Sequence, residues 1–314
     1  HSGYIPKLVK NGFHGTVYAT SATRDLCEIL LTDSGHIHEE DARRANKYHY
    51  SKHKPALPLY TEDEAKKAMK LFQNVPFRKE IDLSNQFYST WYEAGHILGA
   101  SFVVCRHEKT SILFSGDLGR SHDPIMNPPH PIVDADYMVI ESTYGDRLHG
   151  QEDPEDILAA IIRDTAARGG TIVIPSFAVG RAQELMYYVH QLKIKNKIPD
   201  LPVFLDSPMA IDATDLLHKH LKSHRLSKDA CREVCGGVHY VQTADESKRI
   251  DSNPVPKIII AASGMLEGGR VLHHIKVYGP ERRNTIVFTG YQAGGTRGAD
   301  LVGGRKEIKI HGGF

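Results

Sequence analysis

Cysteine is scarce in this sequence, with only Cys27, Cys105, Cys231 and Cys235 among 314 residues. That number is too small for the disulfide framework that stabilises small secreted domains. Cys231 and Cys235 are four residues apart, so a helix would place both on one face. A structural zinc site would need two further thiolates or imidazoles at suitable spacing, and the sequence pattern indicates none. We therefore expect buried, inactive thiols and a reducing, cytoplasmic environment.

Long apolar runs are also lacking, because no stretch approaches the roughly 20 residues that span a bilayer. The chain opens with HSGY, which is neither basic nor apolar, so we expect no secretory leader. The formal net charge is only +1, which gives the whole chain no electrostatic signature of nucleic-acid binding. A local basic groove would be averaged out of that sum. The remaining composition, 40% hydrophobic and 25% charged, is typical of a globular protein.

Two patterns divide the chain. Residues 1–151 mix short strands, loops and helices, whereas residues 152–314 alternate apolar strands with helices. The apolar strands lie at residues 171–174, 202–205, 257–261 and 285–288. Near-continuous apolar strands that alternate with helices predict a mainly parallel sheet covered on both faces. The sequence thus predicts an α/β protein with one domain at residues 1–151 and another at 152–314.

Helix signals occur three times in the first domain. Ser21 and Thr23 are candidate N-caps for a helix through residues 25–31, and residues 61–64 resemble a capping box that opens another helix. Residues 36–41 have the spacing H-x-H-x-x-D, which resembles a metal-binding motif. The acidic residues there favour a helix N-terminus, so we expect the start of a solvated helix at this segment.

His96 and Asp117 flank a predicted β-hairpin, whose strands are residues 101–105 and 111–114. The start of one hairpin strand lies beside the end of the other, which brings His96 and Asp117 together at one edge of the sheet. Zinc accepts both imidazole and carboxylate ligands. The spacing therefore indicates either a metal site or a buried His–Asp pair without a metal.

Glu141 and Ser142 follow a short apolar strand near the predicted domain boundary. Ligands favour strand ends and domain boundaries, so these two residues are candidates for a binding site. A turn or helix-capping cluster uses the same residue types. Both interpretations stay open from the sequence.

Loops of small residues join the later strands to helix N-termini. Ser176 and Arg181 belong to the first such loop, Ser207 and Ser263 follow the next strands, and Arg297 follows the last. Free backbone N–H groups at the start of a helix bind anions, and phosphate is the obvious anion. Four such loops at one sheet edge would suit a single extended anion, with ordinary turn chemistry as the alternative.

Six segments, in this order and spacing, resemble the motifs of metallo-β-lactamase/β-CASP proteins. The segments are residues 95–101, 115–119, 141–145, 207–210, 262–265 and 290–296. They look most like the prokaryotic homologues of the endonuclease subunit of the cleavage and polyadenylation specificity factor. The resemblance implies an αββα metallo-β-lactamase sandwich, incomplete in this chain, with a β-CASP domain inserted into it. It also implies two zinc ions and hydrolysis of RNA phosphodiester bonds.

The resemblance assigns roles to four residues. His96 and Asp117 match zinc-binding motifs, and Asp117 is implied to bridge both metals. His1 matches the last histidine of an earlier zinc motif. Glu141 matches an acid that supports a histidine near the leaving group. The implied catalytic residues are therefore His96, Asp117 and Glu141, and the implied metal ligands are His1, His96 and Asp117.

The expected substrate is single-stranded RNA, whose phosphates would contact strand-end residues of both domains. The candidates for substrate binding are Ser142, Ser176, Arg181, Ser207, Ser263, Arg270 and Arg297. The resemblance implies no membrane and allows a homodimer. The alternatives are a non-catalytic RNA-binding partner subunit, or a DNA nuclease or 5′ exonuclease of the same family.

Several of the family's metal ligands have no counterpart among these residues. An early aspartate, the residues that would precede His1, and the last two histidine motifs after residues 308–314 are missing from the match. We therefore expect a chain truncated at both ends, with an incomplete zinc site. Zinc affinity requires a nearly complete set of ligands, so we expect this chain to hold zinc weakly at that site.

Overall fold

The computed structural model describes residues 2–148, 150 and 152–313. The chain forms two compact units, the first comprising His1–Asp146 and Lys219–Arg225 and the second comprising Arg147–His218 and Leu226–Phe314. The strand-and-helix pattern placed a division at residues 151 and 152. Nothing in that pattern assigned Lys219–Arg225 to the first unit, because this assignment depends on tertiary contacts.

The first unit mixes helices with mainly antiparallel strands. Its helices are α1 (Ile5–Lys10), α2 (Ser21–Tyr48) and α3 (Glu62–Met69). Its strands are β1 (Val17–Ala19), β2 (Phe72–Asn74), β3 (Ile81–Ser84), β4 (Phe87–Glu93), β5 (Ser101–His107), β6 (Thr110–Phe114) and β7 (Tyr137–Val139). Strands β1 and β2 form a small parallel pair, and the others form a sheet in the order β3-β4-β5-β6-β7.

Helix α2 corrects two predictions. Its N-cap is Thr20, whose hydroxyl accepts a hydrogen bond from Thr23 N at 3.3 Å, and neither Ser21 nor Thr23 is the cap. The helix also continues without a break through Gly35 and residues 36–41, where the sequence predicted the start of a second helix. A Cβ at Gly35 would lie 2.8 Å from the carbonyl oxygen of Thr61. The chain at Thr61 thus packs directly on α2, and this packing outweighs the low helix propensity of glycine.

The segment with H-x-H-x-x-D spacing therefore lies in the middle of α2 and does not begin a helix. The His38 ring packs edge-on against Tyr60, with the ring centroids 4.9 Å apart. In the described part of the chain, these side chains form no group of convergent metal ligands. The predicted capping box at α3 is confirmed, since Thr61 and Glu64 cap each other's backbone N–H groups.

The predicted hairpin is formed by β5 and β6. His107 pairs with Thr110, and Glu108 in the turn has a φ of 51°. Val103 pairs with Phe114, so the start of β5 lies beside the end of β6. Strand β7 runs parallel to β6, with Phe114 opposite Val139. The chain segments that leave β6 and β7 therefore emerge at the same end of the sheet, next to the segment that enters β5.

The second unit is built on the predicted parallel sheet, in the order β10-β9-β11-β8-β12. Its strands are β8 (Ile172–Pro175), β9 (Val203–Asp206), β10 (His239–Tyr240), β11 (Ile258–Ala261) and β12 (Thr285–Ile286). Its helices are α4 (Pro154–Ala167), α5 (Arg181–Ile194), α6 (Pro208–Lys219), α7 (Lys228–Gly236), α8 (Ala244–Ser252), α9 (Val271–Tyr278) and α10 (Arg297–Val302). The isoleucines of β8 and β11 are fully buried, as expected for central strands.

Along the described residues of both units, no helix has the length and hydrophobicity to cross a bilayer.

A buried charge network lies at the end of β9. The Asp206 carboxylate is fully buried and accepts hydrogen bonds from Arg270 at 2.7 Å, from His274 Nε2 at 2.8 Å and from the Ser247 hydroxyl. The other ring nitrogen of His274, Nδ1, lies 2.7 Å from Asp251 Oδ1. Both ring nitrogens thus face carboxylate acceptors, which requires a proton on each and hence a charged imidazolium.

The network shifts the pKa values of His274 and Asp206 in the directions that favour their charged forms. Burial alone would lower the pKa of His274, but the hydrogen bonds to Asp206 and Asp251 outweigh it and raise that pKa to about 8. Burial would raise the pKa of Asp206, and the bonds from His274, Ser247 and Arg270 lower it below its ordinary value. The network therefore stabilises β9 against α8 and α9 when His274 is protonated and Asp206 is ionised.

We predict that this network makes stability depend on pH. The folded pKa of His274 is raised, so its contribution is fully present below an unfolded pKa of about 6.5 and is lost as pH rises through about 8. A shift of this size corresponds to about 2 kcal/mol. Urea denaturation of the wild type between pH 6 and pH 9 should show this loss, and His274→Gln should lack it.

Two further variants sharpen this measurement. Asp251→Asn removes one of the two carboxylates that face His274, so the pH at which stability is lost should move down. His53→Gln changes an exposed histidine and should leave the wild-type pH dependence intact. If the free energy of unfolding changed equally with pH in the wild type and in His274→Gln, this would contradict a charged His274 that the network stabilises.

Candidate functional site

Three loops meet at one end of the first unit's sheet. They are residues 94–100 between β4 and β5, residues 115–119 after β6, and residues 140–145 after β7. Gly119 N donates to the carbonyl of Ala94 at 2.8 Å, and Ser115 N donates to the carbonyl of Val139 at 2.9 Å. These backbone bonds join the first loop to the second and the second to the end of β7.

Glycine is required where the first two loops touch. A Cβ at Gly119 would overlap the carbonyl group of Gly95. Gly95 itself has a φ of +68°, and a Cβ there would lie 2.7 Å from the carbonyl oxygen of Asn127. Both positions therefore exclude larger residues, for steric reasons at the first and for steric and conformational reasons at the second.

The start of α2 holds the far end of the first loop. The hydroxyls of Thr20 and Thr23 each donate to the carbonyl of Gly99 at 2.8 Å. Gly99 has a φ of +80°, and a Cβ there would crowd the Thr20 hydroxyl. The loop that carries His96 is thus fixed between Ala94 and Gly99, at both of its ends.

Glu141 connects the third loop to the second. Its carboxylate accepts hydrogen bonds from Leu118 N at 3.0 Å and Thr143 N at 3.2 Å, and its own N–H donates to the Ser115 hydroxyl at 2.9 Å. The Leu118 bond is the largest cause that holds the pKa of Glu141 below its ordinary value. Thr143 and the nearby charge of His96 act in the same direction, and burial opposes them. Glu141 is therefore ionised at neutral pH.

The predicted pair His96 and Asp117 lies on the first two of these loops. His96 is exposed, and Asp117 is half-buried and adjacent to Leu118, which Glu141 holds. Within the described residues, the two side chains and Glu141 do not form a group of three convergent ligand atoms. The third predicted ligand, His1, lies outside the described residues. The metal roles of His96, Asp117 and His1 stay predictions.

The serines predicted to bind substrate make local hydrogen bonds. Ser176 is buried and donates to the carbonyl of Phe177 at 3.0 Å, and Ser207 accepts from Ala210 N at 3.2 Å at the start of α6. Ser263 accepts from Glu267 N at 3.1 Å. Ser142 is exposed beside Gly145. The first three hydroxyls thus take part in turns and caps, which was the alternative that the sequence left open.

The strand register brings Ser176, Ser207 and Ser263 to one edge of the second unit's sheet. Ala261 at the end of β11 pairs with Pro175 on one side and with Asp206 on the other. The residues that follow these strands are Ser176, Ser207 and Ala262–Ser263. Three of the four predicted strand-end loops therefore begin side by side at this edge, whereas their binding of phosphate stays a prediction.

The predicted arginines all have partners within the chain. Arg181 forms an ion pair with Glu184. Arg270 bonds to Asp206 at 2.7 Å and to the carbonyl of Val241 at 3.0 Å. Arg297 donates to the carbonyls of Leu266 at 3.0 Å and Lys309 at 2.8 Å. Arg270 thus belongs to the buried network at β9, and a phosphate would have to displace these bonds.

Sequence reasoning missed one cluster. His218 Nε2 lies 3.9 Å from Cys231 Sγ, and Cys235 completes a group of three convergent ligand atoms. The expectation that no imidazole lies near the two cysteines was therefore wrong. His218 precedes Cys231 by 13 residues and comes from another helix, so the helical spacing of the cysteines did not point to it.

Known proteins resemble this chain over nearly its whole length. Residues 182–301 match the family described as the Beta-Casp domain. A ribonuclease of Thermus thermophilus is 34% identical, over 99% of this chain and 69% of its own length. An RNase J-like protein of Methanocaldococcus jannaschii is 31% identical, over 98% of this chain and 68% of its own length.

Longer relatives are named as transcription termination factors. The transcription termination factor FttA of Methanosarcina mazei is 32% identical over 99% of this chain, and the chain spans 49% of its length. The match to the ribonuclease of Thermus thermophilus covers more than two thirds of both proteins. This chain belongs to the β-CASP family of metallo-β-lactamase-type ribonucleases.

Proposed function

We propose that this protein hydrolyses phosphodiester bonds within single-stranded RNA, with zinc ions that His96 and Asp117 help to bind. The observation that carries the proposal is the meeting of the loops of His96, Asp117 and Glu141 at one end of the first unit's sheet. The relatives named as ribonucleases support the choice of RNA as substrate.

The donor set at this sheet end fits zinc. An exposed imidazole and a half-buried carboxylate are both common zinc ligands, and both side chains are on loops that backbone bonds hold in place. Zinc bound there would make a water molecule more acidic and would offset the charge of the phosphate. His96 and Asp117 supply part of the ligand set, and we propose His1 as a further ligand.

Glu141 acts as a positioning residue in this proposal. Its carboxylate accepts the N–H of Leu118, the residue next to Asp117, and so fixes the loop that carries the metal ligand. Because its pKa is lowered, the Glu141 carboxylate stays charged through neutral pH. It can therefore orient a protonated histidine side chain near the leaving group, the role that the family resemblance implies. That histidine would donate a proton to the leaving oxygen, as general acid catalysis requires.

The proposed RNA contacts lie on strand-end loops. Ser142 is exposed near Glu141, and Ser176, Ser207 and Ser263 follow adjacent strand ends in the second unit. Backbone N–H groups at helix starts favour phosphate oxygens. Arg181 and Arg297 are each about one third exposed, so a phosphate can reach their guanidinium groups and replace the present partners.

Free thiols at all four cysteines fit the proposed cytoplasmic location. The homodimer that the family resemblance allows stays a prediction.

The rival functions differ in their products. An RNA endonuclease releases internal fragments from substrates labelled at either end, whereas a 5′ exonuclease releases mononucleotides from the 5′ label. A DNA nuclease of this family would cleave the matched single-stranded DNA equally well. A non-catalytic partner subunit would shift the mobility of the RNA without cutting it. Incubating the protein with end-labelled RNA and DNA of the same sequence separates these outcomes.

Asp117→Asn should reduce RNA cleavage by at least about a thousandfold, because a lost metal ligand removes several kcal/mol of transition-state stabilisation. The measurement is the initial rate on an end-labelled RNA with zinc present. The matched control is Asp134→Asn, an exposed carboxylate in the same unit, which should cleave at the wild-type rate. Near-normal cleavage by Asp117→Asn would contradict the assignment.

Gly119→Ala should disturb the same site without removing any ligand. The added methyl group would overlap the Gly95 carbonyl, so the loops of His96 and Asp117 must move apart. We expect a destabilisation of about 1–3 kcal/mol, typical of overpacking, and a cleavage rate at least about tenfold lower. Gly3→Ala, where a Cβ meets no atom within 4 Å, is the control for glycine replacement. Wild-type cleavage by Gly119→Ala would show that the contact between these loops does not matter for the reaction.

A further inference from the structure

His218, Cys231 and Cys235 form a compact donor cluster in the second unit. Their ligand atoms all lie within 4.8 Å of one another, and His218 Nε2 is 3.9 Å from Cys231 Sγ. Cys231 is fully buried and Cys235 is 8% exposed, whereas His218 is open to solvent. The cluster thus has two enclosed sulfur atoms and one accessible imidazole.

Two helices build the cluster. Ser227 caps the start of α7, and the spacing of four residues places Cys231 and Cys235 on the same face, one turn apart. His218 lies in the last turn of α6, the helix that precedes α7 along the chain. The two thiols are free, and successive turns of one helix do not give the geometry that a disulfide needs.

The spacing is close to that of zinc ligands. Zn–S bonds of about 2.3 Å and Zn–N bonds of about 2.0 Å place tetrahedral ligand atoms about 3.5 to 3.8 Å apart. The separation of His218 Nε2 and Cys231 Sγ is 3.9 Å and the other two are at most 4.8 Å, so small side-chain rotations would close the three atoms on one ion. Two thiolates and one imidazole select zinc over magnesium or calcium, which prefer oxygen ligands.

A tetrahedral zinc ion would need a fourth ligand beside these three side chains. Asp215 is exposed and lies three residues before His218 on α6, so both side chains are on neighbouring positions of one helix face. Its carboxylate is close enough to add to the effect of burial, which raises the pKa of Cys235 to about 12. The same negative charge that disfavours a thiolate favours a bound cation. The Asp215 carboxylate is not part of the convergent group, so a water molecule would take the fourth position unless the Asp215 side chain moved towards the ion.

We propose that His218, Cys231 and Cys235 bind a zinc ion that is separate from the metal site proposed at His96 and Asp117. Burial raises the pKa of both cysteine thiols, so the metal-free cluster carries two protonated sulfurs at neutral pH. Binding forms two Zn–S bonds and one Zn–N bond, and it releases the two thiol protons to solvent.

The ion would have a structural role. It would join the end of α6 to α7, and so close the segment between His218 and Cys231 into a loop. That segment contains Lys219–Arg225, which belongs to the first unit. A metal clip that closes a loop stabilises the folded chain by removing conformational freedom from the unfolded chain.

Cobalt(II) replaces zinc at such sites and reports on sulfur ligands. Titration of the reduced, chelator-treated protein with cobalt(II) should produce a thiolate-to-cobalt charge-transfer band in the near ultraviolet. The site proposed at His96 and Asp117 contains no sulfur, so Asp117→Asn should retain the full band. A band that disappears in Asp117→Asn would assign the signal to that other site and overturn the proposal.

Three variants locate the band. Cys231→Ser and Cys235→Ser should abolish it, and His218→Asn should weaken cobalt affinity at least about tenfold. Because His218 is exposed, His218→Asn should fold even if Cys231→Ser and Cys235→Ser, which change buried side chains, do not. Cys105→Ser is the matched control in the first unit and should titrate like the wild type. The proposal fails if the wild type gives no band with excess cobalt, if His218→Asn binds with unchanged affinity, or if the band depends on Cys105.

Discussion

The backbone hydrogen bonds from β5 to β6 and from β6 to β7 fix the arrangement of the candidate active site. They place the start of β5 beside the ends of the other two strands, so three loops from distant parts of the sequence leave the sheet at one end. Gly119 allows two of these loops to touch, and Glu141 joins the third to them. Shifting this register by one residue would turn every side chain to the opposite face and would separate the loops.

The second unit uses strand register in the same way but satisfies its polar groups differently. The ends of β8, β9 and β11 are adjacent, and the side chains after them are largely bonded within the chain. Asp206 is the extreme case, since its buried charge is matched by Arg270 and His274. Removing one partner would leave the others with an uncompensated charge in a region that water does not reach. The polar side chains at this sheet edge are therefore largely satisfied by partners within the chain.

The two proposed metal sites differ in their donor atoms and in the elements that carry them. His96 and Asp117, on loops at one end of the first unit's sheet, offer the nitrogen and oxygen donors that suit an open site with exchangeable ligands. His218 with Cys231 and Cys235 offers sulfur donors on helices, mostly enclosed, which suits an ion that stays in place. The stiffness of the helices and the burial of the sulfur atoms favour a structural role there, whereas the loops favour access for a substrate.

The sequence alone determined four of the five strands of the second unit, all but β10, because apolar periodicity is a local property. It also determined the hairpin of β5 and β6 and the family motifs around His96, Asp117 and Glu141, which depend on short-range spacing. Only the tertiary structure decided that α2 continues through Gly35, that Arg270 is committed to Asp206, and that His218 approaches the two cysteines. Each of these depends on contacts between segments distant along the chain, and packing against such neighbours outweighs local preference without leaving a local pattern.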